Sequence, residues 1–440
     1  MTTVDDQASQ ETAELFVARR RLLGPSLSLS YRTPLHIVRG EGAYLFDADG
    51  RAYLDCVNNV AHVGHANPRV VEAGAAQMRL LNTNTRYLHE TVLAYAERLV
   101  ATLPDGLEVC YFTNSGSEAN ELALRLARAA TGRPDVATVD VAYHGNTQRL
   151  VDISPYKFNG PGGAGQPDDV QVVPLPDAYR GRHRGSGPEI GAAYVADSVT
   201  VLTAAAETGH PSGAVIAEAI PGTAGQIVPP DGWLRDLFAV GREIGAVPIS
   251  DEVQVGFGRV GTAPWAFAAM DAQPDIVTMG KPIGNGHPLG ALVTTRPIAE
   301  AFANGMEYFN TFGGNPVSAA IGLAVLDVIE EDGLQEHARV TGERLLAGLR
   351  EVATRREAIG DVRGLGLFIG IELVRDRATR EPDGELATEL VNRAVELGVL
   401  LSTDGADHNV IKIKPPLVFS AADSDRLVET VDAILGEMNR

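Results

Sequence analysis

From about residue 66 to residue 294 the chain alternates short apolar runs with stretches of helical periodicity, and this alternation constrains its fold more than any other feature. The runs are Val109–Thr113, Val136–Val139, Val170–Val173, Gly213–Glu218, Val247–Ser250, Ile276–Met279 and Ala291–Thr294. Helical segments separate them, so crossover connections and a mainly parallel sheet of seven strands, covered on both faces, are expected. In such a sheet the carboxyl ends of the strands converge on one edge, where a site can form.

The flanks read differently. Residues 1–65 start with a mostly polar helix through about Leu23, pass Gly24-Pro25, and continue as a small antiparallel meander over Ile37–Val38, Ala43–Phe46 and Ala52–Cys56. After about residue 315 come two helical patterns, runs at Asp361–Gly364 and Leu367–Val374, a helix near Leu386–Leu397 and a last helix from Ala421. The expected organisation is an α/β chain with a large domain over 66–315 and a small α+β domain over 316–440, against which residues 1–65 pack. Pro155–Gly165 and Pro174–Pro188 read as an ordered surface excursion.

Charge and cysteine content exclude several functions. With 57 acidic against 37 basic side chains and a formal charge of -20, nucleic acid and anionic membrane are poor partners. Two cysteines, Cys56 and Cys110, leave no disulfide framework or cysteine metal site to expect. No apolar run has spanning length, and residues 1–20 lack the basic start and apolar core of a signal peptide, so a cytoplasmic protein is expected.

Four motifs fall at the carboxyl ends of the expected strands. Lys281 follows Ile276–Met279 in Met279-Gly-Lys-Pro-Ile-Gly284. An apolar strand end closed by a Gly-rich turn disfavours the charged amine and suits a nucleophile. Ser115-Gly-Ser117 follows Val109–Thr113 and opens a helix, so its backbone N–H groups and hydroxyls can meet a phosphate, or Ser117 with Glu118 and Asn120 can simply cap the helix. Asp251, in Asp251-Glu-Val-Gln-Val-Gly-Phe-Gly-Arg259, can hold a pyridinium nitrogen protonated or cap a turn. Gln254 can donate to a ring oxygen, Val253 offers an apolar face and Tyr143, in Tyr143-His-Gly145, an aromatic one.

Together with Thr311-Phe-Gly-Gly-Asn-Pro316, these motifs resemble the class III aminotransferases, fold type I pyridoxal phosphate enzymes, over nearly the whole chain. The resemblance implies pyridoxal 5'-phosphate as cofactor, Lys281 as the lysine that forms its Schiff base, and Asp251 at its ring nitrogen. It further implies Gln254 near the ring hydroxyl, Val253 and Tyr143 on the ring faces, His144 and Glu218 beside them, and Ser115, Gly116 and Ser117 around the phosphate. Thr311 is implied to reach the phosphate of a partner subunit, hence a homodimer with shared sites.

Departures from the family pattern bear on the reaction. Relatives acting on ornithine, acetylornithine or γ-aminobutyrate are similar in having an arginine where Asn146 stands. They also pair a glutamate with a mobile arginine at the positions of Thr223 and Lys412. Lysine does not replace a bidentate guanidinium well, so the carboxylate switch of a transaminase is expected to be lost. Ile153-Ser-Pro-Tyr-Lys-Phe158, Asp177-Ala-Tyr-Arg-Gly181, Leu400–Gly405 and Lys412-Ile-Lys-Pro-Pro416 resemble the phospholyase subgroup that acts on ethanolamine phosphate or 5-phosphohydroxylysine. The implied reaction is elimination of phosphate from O-phosphoethanolamine to acetaldehyde, ammonia and inorganic phosphate. Asn58, Asn59, Arg86 and Lys412, with His62 and Asn84 behind them, are the candidates for the substrate phosphate. The alternatives are an amine transaminase, a 5-phosphohydroxylysine lyase, and a binding protein without turnover, against which the joint presence of Lys281, Asp251 and Gln254 speaks.

Overall fold

The computed structural model describes residues 4–438. Its central sheet is built from β4 (Val109–Thr113), β5 (Val136–Val139), β6 (Val170–Val173), β7 (Ala214–Glu218), β8 (Val247–Asp251), β9 (Ile276–Met279) and β10 (Gly290–Thr294). They lie in the order β4-β10-β9-β8-β7-β5-β6. All pairings are parallel except those of β10, which runs antiparallel to both neighbours. The reason is length: between β9 and β10 there is only the short turn of helix Lys281–Gly284, and no crossover helix fits there. Central strands β7 and β8 are buried along their whole length, as a sheet covered on two faces requires. Val215 and Ala217 face a cluster with Trp233, Leu237 and Phe238, while Ala214 and Ile216 face Leu126, Ile249 and Leu292.

Before this sheet come helix Val4–Leu22 and the meander β1 (Ile37–Glu41), β2 (Tyr44–Asp47) and β3 (Ala52–Asp55). After it come β11 (Ile359–Leu365), β12 (Phe368–Asp376), β13 (Glu381–Pro382), β14 (Val399–Leu400), β15 (Ser402–Asp404) and β16 (Val410–Ile413). The antiparallel order β11-β12-β16-β15 forms another sheet, with β13 beside β12. Strand β14 instead pairs in parallel with β3, Val399 opposite Leu54, so the two ends of the chain share a sheet. Leu54, Val325, Leu349 and Phe419 belong to the core beneath it. The Pro/Gly-rich stretch from residue 155 is not plain loop, since it opens with a short helix, Pro155–Phe158, that turns Tyr156 and Lys157 toward Tyr143.

Helix Leu334–Arg355 runs against the β11–β12 turn so closely that a Cβ on Gly342 would lie 2.1 Å from the carbonyl oxygen of Gly366. In an open helix, Gly→Ala stabilises by up to about 1 kcal/mol. Here backbone meets backbone, so Gly342→Ala should cost roughly 1–3 kcal/mol and lower the thermal unfolding midpoint; a midpoint at or above that of the parent would show that the turn yields.

Candidate active site

The edge formed by the carboxyl ends of β4, β5, β7, β8 and β9 carries the chemistry-bearing residues. After β4 the chain turns through Ser115 into helix Gly116–Thr131, whose Ala/Leu-rich face is buried and whose end is set by left-handed Gly132. The cap is Ser115, whose Oγ accepts from Glu118 N at 3.1 Å, so Ser117 is left for another role. Three close approaches compact this turn. A Cβ on Gly116 would sit 2.7 Å from Val253 Cγ1, one on Gly145 would meet Ser117 Oγ at 2.6 Å, and one on Gly290 would meet Ser115 O at 2.5 Å. Gly280 lies against Gly116 and Val253 in the same way, which brings Lys281 beside the turn.

Asp251, the last residue of β8, is buried, and a buried carboxylate is tolerable only when bonded. Its Oδ2 accepts from Asn120 Nδ2 and from His144 Nδ1, both at 2.8 Å, and Oδ1 accepts from Val253 N at 3.1 Å. His144 therefore touches Asp251, and its Nε2 has no partner. At the end of neighbouring β7, Glu218 pairs in register with Asp251. Its Oε2 accepts from Gly222 N at 2.7 Å while buried Oε1 has no partner. Burial, then the Asp251 charge, push its pKa up.

Lys281 has an accessible side chain, yet surrounding protein lowers its pKa by desolvation; Asp251 and Glu218 oppose that shift and Lys412 adds to it. Close to it lies a chain of polar contacts. Asn59 Nδ2 donates to Gln254 Oε1 at 3.3 Å, Lys414 Nζ donates to the same oxygen at 3.0 Å and to Asp404 Oδ2 at 3.0 Å, and Lys412 Nζ donates to Asp404 Oδ1 at 3.0 Å. Thr223 carries no charge, and the acid facing Lys412 is Asp404, contributed by β15.

Not every candidate joins this group. Asn58 turns back onto Asp55 Oδ1 at 3.2 Å. Arg86 is exposed, paired with Glu307 at 3.1 Å and stacked 4.3 Å from the Phe309 ring centroid. Thr311 is exposed on the same side, in a loop whose Asn310 bonds Asn114 and Glu118. Asn84 accepts from Arg86 N at 3.0 Å. His62 is buried between Phe257 O at 2.7 Å and Arg259 at 3.2 Å, with burial and the Arg259 charge pushing its pKa down to about 3. A neutral histidine bonded at both nitrogens is a structural clamp, which removes it from the phosphate candidates.

Sequence reasoning met Lys157, Asp404 and Lys414 only inside motifs and gave them no role. Lys157 Nζ stands 5.5 Å from the Tyr143 ring centroid and 5.3 Å from that of Tyr156. A signal was available: of 37 basic residues only four are lysine, at positions 157, 281, 412 and 414. Arginine serves everywhere else; Lys281, Lys412 and Lys414 lie close enough to act on one another, and Lys157 stands beside Tyr143.

The residues present fit pyridoxal phosphate. The compact Ser115–Ser117 turn at a helix amino terminus suits a phosphate, buried Asp251 suits a pyridinium, and the lowered Lys281 amine suits a Schiff base with an aldehyde. Glu218 Oε1, His144 Nε2 and Asn120 Oδ1 are buried polar atoms that this edge leaves without a partner.

Comparison with known proteins agrees. The model of the aminotransferase class-III family matches residues 28–435. The chain is 49% identical over 434 residues to an alanine–glyoxylate aminotransferase 2-like protein of Drosophila melanogaster, covering 96% of this chain and 88% of that one. It is 41% identical over 440 residues to ethanolamine-phosphate phospho-lyase homolog 1 of Caenorhabditis elegans, covering 97% and 94%. A phospholyase from Arthrobacter, solved in complex with phosphoethanolamine, superposes with a TM-score of 0.90 at 40% identity, covering 96% of this chain and 99% of that one. The chain belongs to the class III aminotransferase family, with the fold type I architecture and the pyridoxal phosphate cofactor of that family.

Proposed function

We propose that this enzyme is a phospholyase that eliminates phosphate from O-phosphoethanolamine, the resulting enamine taking up one water to give acetaldehyde and ammonia beside the inorganic phosphate; elimination from 5-phosphohydroxylysine is the alternative. The observation that carries the reading is the replacement of a guanidinium–carboxylate switch by Lys412, paired with Asp404 and not with residue 223. A transaminase must bind an amino donor and a keto acid in turn, and a planar guanidinium is suited to their carboxylates. An ammonium point charge suits a phosphate as well, and the elimination needs no second substrate. The likeness to the phospho-lyase homolog of C. elegans and to the Arthrobacter phospholyase supports it.

Pyridoxal phosphate, which Ser115–Ser117, Asp251 and Lys281 would hold, would supply an electron sink for the pair released when a bond to the substrate's amine-bearing carbon breaks. The protein's part is positional and acid–base. Lys281, with its amine held toward the neutral form, takes the proton from the carbon bearing nitrogen. Asp251, locked by Asn120 and His144, keeps its charge where a pyridinium needs it. Lys412 and Asn59 face the phosphate of the substrate and steady it as it departs. A second reading, an amine transaminase, is favoured by the 49% identity with the aminotransferase 2-like protein of D. melanogaster.

The patch around Arg86 and Thr311 exposes Leu88 at 97%, Met306 at 73% and Phe312 at 68%. So much exposed apolar surface asks for a cover, and a second copy of the chain would bury it while carrying Arg86 and Thr311 to that copy's cofactor. Sedimentation of the loaded protein should therefore find a dimer; a monomer would take both residues out of the site.

Phosphate and acetaldehyde should be released in equal amounts from O-phosphoethanolamine with no keto acid present. Turnover that begins only when pyruvate or 2-oxoglutarate is added would establish the transaminase instead. Lys412→Ala, which leaves Asp404 bonded to Lys414 and Gln226, should raise the apparent KM for O-phosphoethanolamine by roughly 10-fold or more, the scale of one hydrogen bond to a charged group. An unchanged KM would remove Lys412 from the phosphate site.

A further inference from the structure

Gln254 carries a carboxamide with one accepting and one donating end, and nothing in its own strand end decides which end turns toward the cofactor. A lysine ammonium can only donate. Lys414 Nζ lies 3.0 Å from Gln254 Oε1, and Asn59 Nδ2 donates to the same oxygen at 3.3 Å. We infer that Lys414 is a positioning residue that fixes the rotation of the Gln254 carboxamide, so that its NH2 group and not its oxygen is presented to the cofactor's ring oxygen.

Three further observations support this assignment. Lys414 is 3% exposed, and a buried ammonium persists only with partners, of which it has two: Gln254 and Asp404. Asp404 is itself held by Lys412 and by Gln226 Nε2 at 2.8 Å, so the anchor behind Lys414 is fixed. On the other side of the carboxamide Gly222 leaves room for Nε2, since a Cβ there would lie 2.8 Å from it. The lysine census points the same way. Arginine supplies 33 of the 37 basic side chains, yet this buried position is lysine. A single-point donor that fits between a carboxylate and an amide oxygen is what a guanidinium fork does not provide.

The inference rests on Gln254 facing the ring oxygen and is indifferent to whether the enzyme eliminates phosphate or transfers an amine. Its test is therefore spectroscopic: the parent, Lys414→Met, Gln254→Ala and the double variant are loaded with pyridoxal phosphate, and the visible absorbance of the bound cofactor is titrated against pH. Losing an amide donor to the ring oxygen favours protonation next to it, so Lys414→Met should raise the midpoint by roughly half a pH unit. In the Gln254→Ala background the same substitution should move it no further. An unchanged midpoint in Lys414→Met overturns the inference. So does an equal shift in both backgrounds, which would mean that the lysine charge acts through space. Asp404 keeps two partners in Lys414→Met, so folding is expected to survive. If it does not, Lys414→Gln, whose amide no longer dictates the rotation of its neighbour, should shift the midpoint in the same direction, and no shift there overturns the inference equally.

Discussion

The Asp251 carboxylate is where the crossover connections of the large sheet are tied together. It ends β8, takes one donor from the helix that follows β4 and one from the turn that follows β5, and lies in register with Glu218 of β7. Two unpaired carboxylates side by side in a protein interior would be costly, and each added donor lowers that cost. Anchoring His144 also anchors Tyr143 on one side and Gly145 on the other, and Gly145 packs on Ser117 of the phosphate turn. Val141 enters this turn in the left-handed region at φ 61, unfavourable for a β-branched residue and held by the Asp140 side chain at 2.8 Å. Local strain is thus accepted where the chain turns into Tyr143-His-Gly145.

The residues that fit the cofactor and those proposed to face the substrate differ in how they are held. Ser115–Ser117, Asp251 and Lys281 come from strand ends whose places follow from sheet topology. Lys412, Lys414 and Asp404 come from β15, β16 and the residue after it, a hairpin of another sheet that reaches across to Gln254. The two groups meet where Lys414 bonds Gln254, and relatives that match this chain over nearly its full length carry both lyase and aminotransferase names.

Legibility in the sequence follows the same division. The seven strands of the large sheet show as apolar runs because most of them are buried on both faces, edge strand β4 being only half-buried, and Lys281, Asp251 and Ser115 are legible because each stands at the end of a run. The reversed direction of β10 shows only as a short connection. Lys414 does not show, because its partner Gln254 is 160 residues away and an alternating Ile-Lys-Ile-Lys strand reads as one with a solvated face. His62 misleads for the opposite reason: its neighbours look polar, whereas Arg259, 197 residues on, closes it into the core. Arg86 and Thr311 are legible as motif positions, yet in one chain both are exposed, and spacing carries no information about a second molecule.

The scarcity of lysine has a practical side. A chain of this size normally scatters its amines over the surface, where reagents that acylate amines or couple proteins to solid supports find them first. Here there are four side-chain amines, three of them, Lys281, Lys412 and Lys414, in one group, and of the four Lys157 and Lys281 are accessible. Among the lysines the accessible amines are therefore these two, and attachment through surface carboxylates leaves both untouched, whereas Cys56 is buried and Cys110 partly so, which gives a thiol reagent little to reach.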